Sequence, residues 1–311
     1  MSDVLVLGAA DVARLLEPAA LLRALETAFA AEARGDVQAP PRGALELGAG
    51  RGLLVMPGHR DGGPAMVKHV GLFAGNPARG LPHHPATVCA FDADTGALRA
   101  VLDATELTAA RTAGAAALSV RLAARPGARV AAVVGAGPVA AAHVALLPAV
   151  TGIAELRVAA RDPARAAALG APVCATVEEA VAGADVVCLC TSARDPVLDP
   201  AWLAPGAHVS SVGFAPPGGE LPPALARAGR LLVETRDAFA PPPAGCAELA
   251  GIDAASATTL GEVLTGARPG RAGDDELTVF KSMGTVIEDL AAAEVVIRRA
   301  EATGAGTRVA F

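Results

Sequence analysis

The 311-residue sequence lacks several features that mark particular classes of protein. It has no run of about 18 consecutive apolar residues, so a membrane-spanning helix is not expected. The first residues lack the basic segment of a secretory signal peptide, and the five cysteines form no Cys-x-x-Cys pair. A formal net charge of -6 without a Lys/Arg cluster argues against binding to nucleic acid or to an anionic membrane. These absences favour a cytoplasmic protein with reduced thiols.

Lysine is also scarce. Of 26 basic residues, only Lys68 and Lys281 are lysine. Arginine serves wherever a permanent charge suffices, so a retained lysine is a candidate for chemistry that needs an amine able to lose its proton. Hydrophobic residues, by contrast, make up 52% of the chain, which is ample for buried cores, and the length suggests two domains.

The pattern of apolar residues changes along the chain. Residues 11–34 predict a helix that Pro18 can split, and residues 105–124 predict a second helix. Between them, short apolar runs separated by Gly/Pro-rich turns predict an antiparallel sheet. After the break at Arg125-Pro-Gly127, buried strands alternate with helices. The predicted strands of this second part are Arg129–Val134, Leu156–Ala160, Val173–Ala175, Asp185–Cys190, His208–Gly213 and, closing the sheet, Leu231–Glu234.

We therefore predict an α/β fold with two domains. Residues 126–283 form a Rossmann-type doubly wound parallel sheet that binds a dinucleotide. Residues 1–125, completed by residues 284–311 with their amphipathic helix, form an α+β domain for substrate binding and dimerisation.

The sharpest local motif is Gly135-x-Gly137-x-x-Ala140. The first glycine permits a tight strand-to-helix turn, the second lets the backbone approach a pyrophosphate, and the small third residue allows close helix–strand packing. The motif follows a buried strand and opens a helix, which is the context that dinucleotide binding requires. The alternative is a tight turn that binds nothing.

The end of the second strand of such a domain usually selects the cofactor. An acidic residue there binds the ribose of NAD, whereas arginine favours the 2′-phosphate of NADP. This chain has Arg161 at that point and Arg165 one helical turn later, which predicts a preference for NADP(H). Asp162 leaves NAD(H) open, because it either caps the next helix or binds ribose.

In the first domain, Arg42, Lys68 and Arg111 can form a pocket for an anion, since arginine binds carboxylates in a planar fork. The alternatives are solvated surface charges for the arginines and a strand-edge charge for Lys68. His83 and His84 lack a third ligand at metal-like spacing, so no metal site is predicted. Their loop either contacts cofactor or substrate or is a simple surface turn.

Taken together, these motifs resemble the ornithine cyclodeaminase/mu-crystallin family. The resemblance runs in order along nearly the whole chain through LLVMPG, KHVGLFAGNPARGLPHHPATV, VEEAVAGADVVCLCT and TVFKSMGTVIEDL. It implies a two-domain homodimer that acts on, or binds, a small imino or amino acid. By motif, Arg42 and Arg111 would hold the substrate carboxylate and Lys68 would be the active-site amine.

The resemblance also implies a set of cofactor contacts. His83, His84 and Arg111 would lie near the nicotinamide. Thr191, Val212 and Ser282 would line the nicotinamide ribose region. The phosphate and adenosine end would be surrounded by Pro138, Val139, Arg161, Asp162 and Arg165, beside the turn at Gly135 and Gly137.

Two departures from the family pattern bear on the reaction. Cyclodeaminases carry a glutamate at the position of Leu54 and a catalytic aspartate at the position of Ala215. The loss of two carboxylates removes groups that would handle the amine proton during cyclisation. The sequence therefore favours NAD(P)H-dependent reduction of a cyclic or linear ketimine. Ornithine or lysine cyclodeamination, an alanine dehydrogenase-like reaction and ligand binding without turnover remain the alternatives.

Overall fold

The computed structural model describes residues 3–48 and 50–310, which divide into two compact units. The first unit contains the described residues up to Arg111 together with those from Thr285 onward, and the second unit spans Thr112–Gly284. This division falls inside the long helix Thr105–Ala123, whereas the sequence predicts a domain boundary just after that helix. The predicted α/β fold with a parallel sheet is confirmed.

The first unit is built around one mixed sheet, in which the order is β15-β1-β7-β6-β5-β4-β2 and β3 pairs with β4. Its strands are β1 (Asp3–Leu7), β2 (Val37–Gln38), β3 (Gly43–Gly48), β4 (Arg51–Arg60), β5 (Ala65–Phe73), β6 (Ala86–Phe91), β7 (Leu98–Asp103) and β15 (Thr307–Ala310). Its helices are α1 (Ala9–Leu15), α2 (Pro18–Arg34), the start of α3 (Thr105–Ala123) and α9 (Val286–Thr303). Pro18 does split the predicted first helix, and the predicted antiparallel strands are present.

The register of this sheet places Lys68 in a row of directly opposed residues on a single face. The row crosses five strands and contains Leu7, Leu102, Val88, Lys68 and Met56. Each member is at most 4% exposed. Four of the five are apolar, so Lys68 is the one cation that this row places inside the unit.

Helix α9 covers this inner face of the sheet. A side chain at Gly58 of β4 would meet Val286 at 2.7 Å and lie within 3.3 Å of Leu290. The glycine therefore lets the first turns of α9 approach the sheet closely. Thr285 caps the helix together with Glu288 in a capping box, which fixes where α9 begins.

The second unit has an all-parallel sheet with the order β13-β12-β14-β11-β10-β8-β9. Its strands are β8 (Val130–Val134), β9 (Glu155–Ala159), β10 (Val186–Leu189), β11 (His208–Ser211), β12 (Arg230–Val233), β13 (Thr258–Thr259) and β14 (Thr278–Lys281). Its helices are the rest of α3, α4 (Pro138–Val150), α5 (Pro163–Ala167), α6 (Val177–Val181), α7 (Pro223–Ala228) and α8 (Leu260–Leu264).

Two predictions about this sheet were wrong. Residues 173–175 do not form a strand, and only Val173 makes an isolated bridge, to Val158. Strand β12 does not close the sheet, because β14 lies between β11 and β12 and β13 follows β12. The reversal of strand order at β8 nevertheless creates the switch point at which doubly wound sheets bind dinucleotides.

Candidate active site and dinucleotide site

The predicted lysine is fully buried in the first unit. Lys68 is 0% exposed and lies on β5, an interior strand flanked by β4 and β6. The alternative of a strand-edge charge is therefore wrong. A buried ammonium requires a partner of opposite charge, and this partner comes from the helix above the sheet.

Two carboxylates at the start of α9 enclose the Lys68 amine and the Arg111 guanidinium. Lys68 Nζ donates to Asp289 Oδ1 at 2.7 Å. Arg111 Nε donates to the same oxygen at 2.9 Å, and Arg111 Nη1 donates to Glu288 Oε2 at 2.6 Å. All four side chains are at least nine-tenths buried, so the alternative of a solvated Arg111 is also wrong. Two cations balance two anions in a water-poor cluster.

This cluster changes the acidity of its members. Burial, and next the positive charge of Arg111, lower the pKa of Lys68 from 10.5 to about 8, although Asp289 and Glu288 act in the opposite direction. Burial alone would raise the pKa of Asp289, but the charges of Arg111 and Lys68 bring it below its usual value. Lys68 is thus an ammonium at neutral pH that can release its proton at a pH only slightly above neutral.

The other residues predicted at the substrate end lie in two connecting segments. Arg42 is half-buried between β2 and β3. His83 and His84 lie in the segment between β5 and β6, with ring centroids 4.2 Å apart. Loss of hydration beside neighbouring protein atoms, and then the charges of His83 and Lys68, lower the pKa of His84 to about 4, so its imidazole is neutral at pH 7.

The glycine-rich turn in the second unit has the geometry that a dinucleotide requires. Gly135 follows β8 with φ +132°, and a side chain there would come within 2.5 Å of the Cys190 carbonyl oxygen. At Gly137, which precedes the first turn of α4, a side chain would meet nothing within 4 Å. Ala140 is fully buried where α4 packs. The open space at Gly137 beside a helix N-terminus fits a pyrophosphate.

The residues predicted to select the cofactor follow β9. Asp162 caps α5, because its carboxylate accepts from the backbone N–H groups of Ala164 at 3.1 Å and Arg165 at 3.2 Å. Arg161 and Arg165 are both exposed. Asp162 thus caps the next helix, which is one of the two roles that the sequence left open. The two guanidinium groups remain on the surface at this strand end.

Three further predicted residues follow neighbouring strands at the same edge of the sheet. Thr191, Val212 and Ser282 come just after β10, β11 and β14. A buried carboxylate, Glu220, ties two of them together: its Oε2 accepts from the Thr191 backbone and hydroxyl at 2.6 and 2.7 Å, and its Oε1 accepts from Val212 N at 3.2 Å. The Ser282 hydroxyl donates to buried Glu234 at 2.5 Å.

The second lysine lies below this edge. Lys281, also 0% exposed, donates to Glu248 Oε1 at 3.0 Å, to the Gly213 carbonyl at 2.7 Å and to the Ser211 hydroxyl at 3.2 Å. Three protein oxygens therefore occupy its three N–H donors. Lys281 holds the strand ends in place, in contrast to Lys68, which makes one such bond within residues 3–48 and 50–310.

Sequence reasoning missed the carboxylates that organise both units. Glu288 and Asp289 stood within a motif that resembled the family, but at a helix start they look like ordinary capping residues. Glu220 lies in a Gly/Pro-rich loop in which nothing local indicates burial. The one usable signal was the need to neutralise a buried lysine and arginine.

Two kinds of feature are absent from residues 3–48 and 50–310. No three His, Cys, Asp or Glu side chains among them lie close enough together to hold a metal ion. None of the helices in this part of the chain is both long and apolar enough to cross a membrane.

Comparison with known proteins places these two units in one family. The model of the ornithine cyclodeaminase/mu-crystallin family matches residues 2–304. The chain is 36% identical over 288 residues to the mouse ketimine reductase mu-crystallin, covering 89% of this chain and 90% of that protein.

Solved structures agree with the sequence match. A Δ1-pyrroline-2-carboxylate reductase from Thermococcus litoralis, in complex with NADH and L-proline, matches with a TM-score of 0.90 at 28% identity over 98% of this chain and 100% of that one. An archaeal alanine dehydrogenase dimer with bound NAD matches with a TM-score of 0.90 at 28% identity over the full length of both chains.

Proposed function

Because the chain belongs to the ornithine cyclodeaminase/mu-crystallin family, we propose that it reduces imino acids, cyclic or linear, to amino acids with NAD(P)H. The observation that carries this proposal is the fully buried Lys68, held beside Arg111 by Asp289. Relatives named as ketimine and pyrroline-2-carboxylate reductases support it.

Substrate binding is assigned to the positive charge of the first unit. Arg42 and Arg111 bind the substrate carboxylate, and Arg111 is oriented for this by Glu288 and Asp289. A guanidinium carries five N–H donors in a fixed plane, so it can serve a substrate carboxylate together with protein carboxylates. The apolar row around Lys68 excludes water from the reacting atoms.

Lys68 is assigned the proton chemistry. Its lowered pKa makes it a stronger acid than a solvated lysine, so it can protonate the imine nitrogen. Protonation makes the imine carbon electrophilic, and Arg111 keeps a second positive charge nearby. When bound, the reduced nicotinamide supplies the hydride that this carbon accepts.

The dinucleotide is assigned to the second unit, at the turn of Gly135 and Gly137 and at the sheet edge formed by Thr191, Val212 and Ser282. The open space at Gly137 supports this assignment. We propose a preference for NADP(H), because Arg161 and Arg165 are exposed at the end of the second strand and Asp162 is engaged as a helix cap. NAD(H) remains usable.

We further propose a homodimer formed through the outer face of the first unit's sheet. A row of directly opposed apolar residues crosses this face and contains Val6, Val101, Cys89, Val67 and Pro57. None of them is buried, and Val6 is 38% exposed. An apolar sheet face of this kind is typical of a protein–protein interface.

Absorbance of NADPH or NADH in the presence of candidate imino acids tests the reaction. We expect consumption with pyrroline-2-carboxylate or piperideine-2-carboxylate, or with pyruvate plus ammonia or methylamine. Ammonia release from L-ornithine without added reductant would indicate a cyclodeaminase instead, and reduction of NAD by L-alanine alone would favour a dehydrogenase. Tight ligand binding with no turnover of any substrate would indicate a binding protein.

A further inference from the structure

The Lys68–Asp289 pair has unused hydrogen-bonding capacity on both partners. An ammonium has three N–H donors, and within the described part of the chain Lys68 uses one of them, to Asp289 Oδ1. The other oxygen of the same carboxylate, Asp289 Oδ2, is buried and has no hydrogen-bond partner among residues 3–48 and 50–310. Donor and acceptor therefore lie side by side in a buried site.

An unpartnered carboxylate oxygen in such a place is costly. Buried polar atoms in proteins almost always find a partner, and the cost is greater for a charged group. Arg111 and Lys68 both reach Oδ1, which leaves Oδ2 as an acceptor for a group from outside the chain. A ligand that satisfies this oxygen must bring an N–H or O–H donor.

Building on the proposed imine reduction, we propose that Asp289 is a catalytic residue whose Oδ2 accepts a hydrogen bond from the substrate nitrogen. Lys68 and Asp289 then form a donor–acceptor pair for one atom: Lys68 donates to the imine lone pair, and Asp289 accepts the N–H of the protonated imine. The same pair disfavours 2-oxo acids, because a carbonyl oxygen has only lone pairs to present to the carboxylate.

Reduction of the imine requires one hydride and one proton, and the groups already assigned supply both. The carbon–nitrogen double bond becomes a single bond when the carbon receives a hydride, with its electron pair, from the reduced nicotinamide. The nitrogen receives a proton from Lys68, which becomes a neutral amine and regains its proton from solvent between turnovers. Asp289 stays ionised throughout and stabilises the positively charged, protonated nitrogen before the hydride is transferred.

Two flat carboxylates with uncharged rings isolate the proposed hydrogen bond. Pyrrole-2-carboxylate carries a ring N–H, and furan-2-carboxylate has an oxygen at the same position. Because hydrogen bonds to charged groups are the strong ones, the wild-type protein should bind the pyrrole about 10- to 100-fold more tightly than the furan. If the wild-type protein bound the pyrrole and the furan equally tightly, the proposal would be overturned, and no variant would be needed to show it.

Asp289→Asn then tests whether this residue is responsible. The amide can still accept from Lys68 and Arg111 through one oxygen, but it presents N–H groups where Oδ2 stood. We expect the preference for the pyrrole to disappear or reverse. Glu294→Gln is the matched control, because Glu294 lies on the same helix, pairs with Arg60 at 2.6 Å and has an Oε1 without a hydrogen-bond partner among the residues that the structure describes. The control should keep the wild-type preference, and an equal loss in both variants would overturn the proposal.

A pH profile separates catalysis from a structural role. The charged and titratable groups that act on Lys68 are Asp289 and Glu288 from α9, Arg111 from α3, and His84 from the segment after β5. Since Asp289 raises the pKa of Lys68, Asp289→Asn should shift the alkaline limb of imine reduction to lower pH and reduce discrimination against 2-oxo acids. If the alkaline limb of the Asp289→Asn profile stayed at the wild-type pH, the proposal would be overturned.

The binding assay does not depend on turnover. If the pyrrole preference depends on Asp289 but no imine is reduced, the proposed function fails while N–H recognition stands. If the wild-type protein reduces imines but Asp289→Asn keeps the preference for the pyrrole and the wild-type pH profile, Asp289 does not accept a hydrogen bond from the substrate nitrogen.

Discussion

A pair of glycine substitutions two residues apart tests the dinucleotide site without relying on catalysis. In Gly135→Ala, the new methyl group would lie 2.5 Å from the Cys190 carbonyl oxygen and 3.0 Å from its carbon, on a backbone with φ +132°. The contacted atoms belong to the backbone of Cys190, which cannot move aside as a flexible side chain can. Strain and overpacking together should lower the free energy of unfolding by roughly 3 kcal/mol or more.

Gly137→Ala should behave in the opposite way. Its backbone is extended, at φ -93°, and the added methyl group meets nothing within 4 Å, so stability should change by no more than about 0.5 kcal/mol. The same methyl group would occupy the space through which the backbone approaches a pyrophosphate. We expect the affinity for NADPH to fall by about tenfold or more, a loss of about 1.4 kcal/mol.

Urea unfolding and fluorescence titration with NADPH measure the two effects separately. The expected pattern is an unstable Gly135→Ala protein and a stable Gly137→Ala protein that binds cofactor poorly. Wild-type affinity in Gly137→Ala would refute the placement of the pyrophosphate at this helix start. Equal stability of the two variants would refute the close contact with Cys190.

Three further predictions concern other parts of the molecule. Replacing Arg161 by Ala should weaken NADPH binding by about tenfold while leaving NADH binding unchanged; equal effects on both would show that Arg161 does not contact the 2′-phosphate. Val101→Glu on the outer face should convert the proposed dimer to a monomer in sedimentation analysis, and a dimer of unchanged mass would exclude that face. Because the pKa of Lys68 is about 8 in the folded protein and 10.5 in the unfolded chain, the unfolded state binds more protons between these values. The Lys68 contribution to stability should therefore rise with pH across that interval by about 3 kcal/mol, and Lys68→Met should remove this rise.

Local patterns were enough to predict most of the fold. The antiparallel strands on either side of Lys68 and the parallel strand before Gly135 follow from apolar periodicity and turn residues. Strand β14 escaped prediction because its position between β11 and β12 depends on pairing between distant segments. Strand β1 escaped for a related reason, since its partners β7 and β15 are far along the chain.

The candidate site was predictable only in part. The rarity of lysine pointed to Lys68, and the family motif pointed to Arg111. Neither signal indicates that both side chains share one oxygen of Asp289, because α9 reaches them only through tertiary packing. The close approach at Gly58 that allows this contact looks, in the sequence, like an ordinary glycine beside a proline.

Imine reduction by the wild-type protein and by Lys68→Met, measured across neutral and alkaline pH, tests the role of Lys68 most directly. We predict that the wild-type protein consumes one NAD(P)H per imine, with activity declining as the pH rises through about 8. Lys68→Met should bind cofactor normally and fail to turn over. Undiminished reduction by Lys68→Met would contradict the assignment of Lys68 as the proton donor.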